Sequence, residues 1–175
     1  MTDCQDTSKK DDLAEAARKL PITSDVDMRI DRHGTWYHEG REIERKGLAR
    51  LFSTVLQRDD AGDYWLVTPV ERAQIVVEDV PFTVVELKNT GQGQEQVLSF
   101  RNNMDQWTDL DKDHPIRIDF KDESDEPLPY ILVRQGLEAR IVRSVYYQLM
   151  DLAEVKDDKA GVWSSGIFHV LGDLE

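Results

Sequence analysis

Apolar and polar residues alternate in several short runs along the chain, and this pattern predicts β-strands. The clearest run is IRIDF, in which Ile116, Ile118 and Phe120 share one face while Arg117 and Asp119 share the other. Further strand-like runs are YWLVT, AQIVVED, FTVVELKN, EQVLSFRN, YILV and GIFHVL. Residues 29–40 predict a hairpin that turns at His33 and Gly34. We therefore expect strands in both halves of the chain.

Three other segments carry apolar residues at helical spacing. A short helix is predicted within DDLAEAARKL, residues 11–20, and Pro21 should end it. A second helix is predicted from about residue 43 to residue 57. The third, over residues 137–153, has the most regular stripe, and its apolar members are Leu137, Ile141, Val145, Leu149 and Leu152.

A weak internal repeat links the two halves. The tripeptide RID occurs at residues 29–31 and again at 117–119, and each copy leads to a second strand and then to a helix. The alternative is a chance match between helical stripes. The repeated order predicts an α+β fold, in which two similar small α+β lobes arise from a duplicated strand-strand-helix-strand unit. The expected organisation is an acidic tail and short helix at 1–20, an N-terminal lobe at 21–105 and a C-terminal lobe at 106–175.

Composition and charge restrict the classes of partner. The 175 residues carry a net charge of −13, which disfavours binding to phosphate backbones and to anionic membrane surfaces. The single cysteine, Cys4, cannot form an internal disulfide and suits a reducing compartment. MTDCQDTSKKDD, residues 1–12, lacks the apolar core of a signal peptide. We therefore expect a cytoplasmic protein whose partners include neither nucleic acid nor membrane.

Two adjacent carboxylates in VEDVPF, Glu78 and Asp79, are the most conspicuous candidate for chemistry. Neighbouring residues of an extended strand point to opposite faces, so the two cannot act as an acid and base pair on one small molecule unless the strand bends. Three alternatives stay open: a turn beside Pro81, a hydrogen bond to a ligand, or an ion pair with a nearby arginine.

Metal and nucleophile motifs are incomplete. Asp109, Asp111 and Asp113 have calcium-loop spacing, but His114 stands where that loop needs glycine and Phe120 where it needs glutamate. No HExxH or CxxC motif occurs, and SSG at residues 164–166 lacks the GxSxG pattern. We expect no metal and no cofactor, and we favour a binding protein over an enzyme.

Arginine is more informative, because thirteen arginines occur in an acidic chain. Arginine binds phosphate and carboxylate through two parallel hydrogen bonds, which lysine cannot do. Pairing with the excess aspartate and glutamate would explain most of them, but a pocket with two or three could bind one anionic ligand. Those at or near the ends of predicted elements are Arg45, Arg101, Arg117, Arg134 and Arg140.

Three longer motifs together resemble a bacterial family, the domain-of-unknown-function 1285 family. They are WYHEGREIERKGLARLF, YWLVTPVERAQIVVEDVPF and LPYILVRQGLEARIVRSVYYQL, and they lie in this order within about residues 28–172. The resemblance implies a duplicated α+β core whose C-terminal half is superficially like a pleckstrin-homology fold. It also implies a site between the halves for a nucleotide-like ligand, and a role in signalling.

Combining this resemblance with the residues gives a specific hypothesis. A small anionic, nucleotide-like ligand would bind between the lobes, with its anion on Arg45, Arg101 and Arg134. Trp36 or Phe82 would contact its ring. Glu71, Glu78 and Asp79 would accept hydroxyls or orient the arginines. The alternatives are a protein-interaction module with a protein partner and no small ligand, and a hydrolase of phosphorylated small molecules.

Overall fold

The computed structural model describes residues 15–23 and 26–174, which form two compact units. The first unit contains the described residues up to Asp31 together with Thr35–Glu78, and the second contains Arg32–Gly34 and the chain from Asp79 onward. Residues 15–18 are helical, and the preceding part of the first predicted helix lies outside the described residues. In the described ranges, no helix is both long and apolar enough to cross a membrane.

A six-stranded sheet and one helix make up the first unit. The order of strands in the sheet is β3-β2-β1-β6-β5-β4, and the helix α1 (Lys46–Thr54) connects β3 to β4. The strands are β1 (Met28–Ile30), β2 (Trp36–His38), β3 (Arg41–Glu42), β4 (Leu56–Arg58), β5 (Tyr64–Val67) and β6 (Arg72–Val77). β1 and β6 pair in parallel, with Arg29 opposite Val76, and every other neighbouring pair is antiparallel. The predicted hairpin through His33 and Gly34 is confirmed as β1 and β2.

The helix α1 is shorter than the prediction of residues 43–57. It buries Ala49 and Ser53, four residues apart on one face. The predicted helix ran on through Leu56, but Leu56 is 2% exposed and pairs with Leu66 in the first register of β4 and β5. Strand pairing with a later part of the chain therefore ends the helix early, although the apolar spacing would allow it to continue.

The second unit is built on another six-stranded sheet, of order β10-β11-β12-β7-β8-β9. Its strands are β7 (Phe82–Thr90), β8 (Val97–Asn102), β9 (Trp107–Asp109), β10 (Ile116–Phe120), β11 (Pro127–Arg134) and β12 (Leu137–Ile141). β7 and β12 pair in parallel, with Phe82 opposite Ala139. This pairing places β7 to β9 in the second unit. The units consequently meet in the chain between Glu78 and Asp79, earlier than the expected boundary at 105/106.

The predicted helix over residues 137–153 was wrong in its first third. Leu137, Ala139 and Ile141 are buried at every second position, so this stretch is the strand β12. The helix α2 (Arg143–Asp151) begins only after it and buries Val145 and Leu149. Leu137, Ile141, Val145 and Leu149 also fit a helical stripe, which is why the spacing was ambiguous.

A small sheet of three antiparallel strands completes the second unit. Its strands, in order, are β13 (Glu154–Lys156), β14 (Lys159–Ser164) and β15 (Ile167–Asp173). Trp163 and Phe168 lie opposite each other with ring centroids 5.3 Å apart. A Cβ atom at Gly161 would lie 2.5 Å from the carbonyl oxygen of His169, so only glycine fits there. With two six-stranded sheets, this third sheet and two helices of nine residues, the described chain is an α+β protein composed mainly of strands.

Candidate functional site

A cleft of about 370 Å³ lies within the second unit, at the junction between β12 and α2. Its volume falls in the range of small-molecule sites. The first residues of β11, the last residues of β12, the first two turns of α2 and the turn residue His33 form its walls. The lining residues are His33, Glu126, Pro127, Leu128, Pro129, Arg140, Ile141, Val142, Arg143, Tyr146 and Tyr147.

Two arginines and the start of α2 make one end of this cleft positive. Arg140 lies between the buried Ala139 and Ile141, so strand alternation turns its side chain away from the core. Arg143 is the first residue of α2. Val142, which precedes the helix, has an apolar side chain that cannot accept hydrogen bonds from the first-turn N–H groups. Those groups carry the positive end of the helix dipole, and an anion would be stabilised beside them.

Each of these arginines also has a carboxylate nearby. Arg143 forms an ion pair with Glu126, another residue of the cleft wall. Nη1 of Arg140 lies 3.6 Å from Oδ2 of Asp79, which is longer than a good hydrogen bond. The Arg140 and Asp79 side chains are 22% and 27% exposed. This second pair is therefore both loose and partly accessible to solvent.

Tyr130 holds the Asp79 carboxylate more tightly than Arg140 does. The Tyr130 hydroxyl donates to Oδ1 of Asp79 at 3.0 Å, and the residue is only 4% exposed. Burial, together with the charge of Asp79, raises the pKa of the Tyr130 phenol to about 12. The guanidinium of Arg117 lies 4.4 Å from the Tyr130 ring centroid and donates to both oxygens of Glu138. Asp79 is thus fixed by a phenol that is itself packed under an arginine.

The remainder of the cleft is apolar and aromatic. Pro127, Leu128, Pro129 and Ile141 contribute apolar surface. Tyr147 is 59% exposed and is available to contact a ligand ring. A flat, partly apolar group could therefore lie in the cleft while a negatively charged group meets the arginines.

Four of the residues predicted for the site lie in the first unit. Trp36 is 1% exposed and stacks on Phe52, with ring centroids 6.1 Å apart, and among the described residues its Nε1 has no hydrogen-bond partner. Arg45 is exposed and lines an open depression before α1. Glu71 accepts a hydrogen bond from Thr23 at 2.5 Å. Glu78 forms an ion pair with Arg29, also at 2.5 Å.

The other four predicted residues lie in the second unit. Phe82 is fully buried, and the guanidinium of Arg134 lies 5.7 Å from its ring centroid. Burial lowers the pKa of Arg134. Arg101 donates to Glu86 at 2.7 Å and to Asp105 at 2.8 Å, an arrangement that raises its pKa chiefly through the Glu86 hydrogen bond. Asp79 is the predicted residue that contacts the cleft wall, through Arg140.

Most of the cleft residues were absent from the predicted site. The sequence prediction includes Arg140 among the arginines near element ends but not among the site residues, and it does not include Arg143. The signal that could have found them lies in the stretch LEARIVRS. Its apolar residues alternate as in a strand, and they also fit the spacing of a helical stripe. A strand ending at Ile141 would have placed Arg140 and Arg143 on either side of a helix start.

The fold and the cleft define a two-unit α+β protein, mainly of strands, whose second unit contains a cleft lined by two arginines. The model for the N-terminal domain of the domain of unknown function DUF1285 matches residues 19–80. The model for the C-terminal domain of the protein of unknown function DUF1285 matches residues 81–171. The chain belongs to the DUF1285 family, which confirms the predicted resemblance. The two models meet within two residues of the boundary between the compact units.

Two solved structures are similar to this chain. The crystal structure of a DUF1285 family protein from Silicibacter pomeroyi DSS-3 is 43% identical, with a TM-score of 0.83 over 89% of this chain and 84% of that one. The crystal structure of a DUF1285 family protein from Shewanella baltica OS155 is 23% identical, with a TM-score of 0.58 over 73% of this chain and 92% of that one, and shows a shared fold. Comparison with curated proteins gave no match.

Proposed function

We propose that the cleft of the second unit binds a small anionic, nucleotide-like ligand. The observation that supports this most directly is the position of Arg140 and Arg143 on either side of the start of α2. A phosphate could accept hydrogen bonds from both guanidinium groups and from the first-turn N–H groups of the helix. The apolar wall and the exposed Tyr147 ring would then accommodate a flat base.

We extend the proposal to a signalling or regulatory role in the cytoplasm. The single cysteine of the sequence suits a reducing compartment. We also propose that the two halves arose by duplication. An order of three strands, a nine-residue helix and three further strands occurs at residues 28–77 and again at 116–173, which supports this idea. The likeness of the C-terminal half to a pleckstrin-homology fold stays a prediction, as does a ligand position between the lobes.

Thermal unfolding of the full chain tests the ligand proposal. Nucleotides, cyclic dinucleotides and phosphorylated metabolites are added separately, and the midpoint of unfolding is measured. A ligand at 100 times its dissociation constant adds about 2.7 kcal/mol of stability, which raises the midpoint by about 5–10 °C for a chain of this size. Arg140→Gln and Arg143→Gln should each remove most of that shift.

Arg101→Gln and Arg134→Gln are the matched controls, because they change arginines of the same unit that do not line the cleft. They should retain the shift. If Arg101→Gln or Arg134→Gln abolished it while Arg140→Gln did not, the arginines chosen from the sequence would bind the anion and the cleft would not. A chain that no compound stabilises would refute the proposal for these ligand classes.

A protein-interaction module is the second candidate function, and exposed apolar side chains on the last sheet favour it. Val155 is 66% exposed on β13, and Val170 is 43% exposed on β15. The two valines lie on the outer strands of this sheet, on either side of β14, and exposed apolar side chains are common in protein interfaces. Affinity capture with the wild-type chain and with Val155→Lys would distinguish a specific partner from background, since a partner that binds this sheet should be lost with the charged variant.

A further inference from the structure

The adjacent carboxylates Glu78 and Asp79 stand where one compact unit ends and the other begins. Each makes contacts within its own unit. Glu78 pairs with Arg29, and its backbone N–H donates to the carbonyl of Ile30 at 3.0 Å. Asp79 accepts from Tyr130 and lies beside Arg140. The peptide between Glu78 and Asp79 is thus fixed by one carboxylate on each side of this boundary.

We infer that a bound anion takes Arg140 from Asp79, so that occupation of the cleft loosens the peptide between Glu78 and Asp79, one of the three points where the chain passes from one unit to the other. This inference rests on the proposed function, because it concerns the same cleft. It assigns Asp79 the role of an internal competitor of the ligand. The sequence predicts instead that Asp79 contacts the ligand or orients an arginine. Removing the charge of a competitor should strengthen ligand binding, whereas removing it from either of the predicted roles should weaken binding.

The geometry favours competition because the Asp79 and Arg140 pair is weak. Its closest distance of 3.6 Å is too long for a strong charge-assisted hydrogen bond, and both side chains are partly exposed. A phosphate carries up to two negative charges and can accept two parallel hydrogen bonds from one guanidinium. A phosphate that reaches Arg140 would also repel the Asp79 carboxylate, since like charges at short range are unfavourable.

Only a short stretch of backbone is free to respond. Val80 is 7% exposed and Phe82 is fully buried, so the chain after Asp79 is anchored in its unit. Val77 ends β6, and that strand anchors the chain on the other side. A weakened hold on Asp79 should therefore appear in the backbone amides of Glu78, Asp79 and Val80, and Pro81 contributes no amide.

The test titrates the full chain with inorganic phosphate at constant ionic strength and follows backbone amide signals by NMR. Asp79→Asn removes the competing charge and keeps a side chain that can accept from Tyr130, so phosphate should bind about two- to fivefold more tightly than to wild type. Glu86→Gln is the matched control. It removes one carboxylate from the same unit, and Glu86 pairs with Arg101 rather than with a cleft arginine. Its affinity should stay close to that of wild type.

Hydrogen exchange is the second measurement. Phosphate should accelerate exchange of the three amides from Glu78 to Val80 in the wild-type chain. In Asp79→Asn these amides should already exchange faster, and phosphate should change them little. Tighter binding to Asp79→Asn together with this exchange pattern would support the inference.

The failures of the two ideas can be told apart. If wild type binds phosphate and Arg140→Gln weakens binding, while Asp79→Asn binds with unchanged or lower affinity, the competition is refuted and the proposed site stands. Equal tightening in Glu86→Gln would show a general effect of charge and would also refute competition. If phosphate leaves the cleft signals of wild type unchanged, both the inference and the phosphate-binding site are refuted.

Discussion

Replacing Tyr130 with phenylalanine removes one hydroxyl from the second unit and leaves its ring in place. The hydroxyl donates to the Asp79 carboxylate at 3.0 Å, and the ring keeps its contact with the Arg117 guanidinium. A hydrogen bond to a charged group contributes about 1.5–3 kcal/mol. Because Asp79 is 27% exposed, water can replace part of the lost bond. We therefore expect Tyr130→Phe to lower the free energy of unfolding by about 1–2 kcal/mol.

Denaturant unfolding at pH 7 measures this loss, which should appear as a lower midpoint with an unchanged slope. In thermal unfolding the same loss should lower the midpoint by roughly 2–8 °C. Tyr147→Phe is the matched control, since Tyr147 is 59% exposed and its substitution should change the free energy of unfolding by less than about 0.5 kcal/mol. Equal stability of the Tyr130 and Tyr147 variants would refute the assigned hydrogen bond.

A double-mutant cycle with Asp79→Ala, which removes the acceptor of the Tyr130 hydroxyl, tests the partner. If the hydroxyl acts through Asp79, the two substitutions together should lower the free energy of unfolding by less than the sum of their separate effects.

The same contact predicts a pH dependence. The pKa of Tyr130 is raised from its ordinary value of about 10 to about 12, so the folded state keeps the phenolic proton more tightly than the unfolded state does. This contribution is complete below pH 10 and is lost as the pH rises from 10 to 12. Titration of phenolate absorbance should show one tyrosine ionising near 12 in wild type, and at lower pH in Asp79→Asn.

Two further predictions concern the last sheet. Gly161→Ala should lower the free energy of unfolding by about 1–3 kcal/mol, because the added Cβ would meet the His169 carbonyl at 2.5 Å and the Phe168 ring at 2.7 Å. Denaturant unfolding measures this loss, and unchanged stability would contradict the close approach. Burial lowers the pKa of His169, although its Nε2 lies 3.3 Å from the carbonyl oxygen of Ser164 and the charge of Asp111 acts on it in the opposite direction. The contribution of neutral His169 to stability is therefore present above pH 6.5 and is lost as the pH falls through its lower pKa in the folded state. His169→Gln should therefore lose less stability than wild type between pH 7 and pH 5, and identical slopes would show that His169 does not cause the acid sensitivity.

Local patterns in the sequence were sufficient for most of the strands. β8 buries Leu98, Phe100 and Asn102 at alternate positions, and IRIDF forms β10 as predicted. These successes share a cause, because alternation indicates a strand without any knowledge of the partner strand. It does not by itself show how deeply the apolar face is buried, since Phe120 of β10 is 59% exposed. The aspartates with calcium-loop spacing also have a local explanation, because they belong to a turn. Oδ1 of Asp111 accepts hydrogen bonds there from the N–H groups of Asp113 and His114.

The pairing between strands that lie far apart in the chain could not be predicted from the sequence. Nothing local in FTVVELKN indicates that β7 lies parallel to β12, yet that pairing decides where the second unit begins. The same limitation hid the cleft. LEARI satisfies a helical stripe and a strand alternation equally well, and its position beside β7 selects the strand. Once that choice is made, Arg140 and Arg143 flank a helix start.

The carboxylates of VEDVPF show why the type of residue was predictable while its role was not. The sequence offered thirteen arginines as partners for Glu78 and Asp79 and no means of choosing among them. The structure pairs Glu78 with Arg29, 49 residues earlier in the chain, and pairs Asp79 with Tyr130, 51 residues later, and with Arg140. A tyrosine partner raises no expectation in a search for charge pairs, yet its hydroxyl makes the shorter of the two contacts to Asp79. The stronger contact comes from a neutral phenol and the weaker one from a charged guanidinium, so a charged ligand can compete for the second without breaking the first. Asp79 then keeps one of its two contacts, which loosens its backbone without releasing it, and the free energy that the ligand must supply is limited to that of the loose pair.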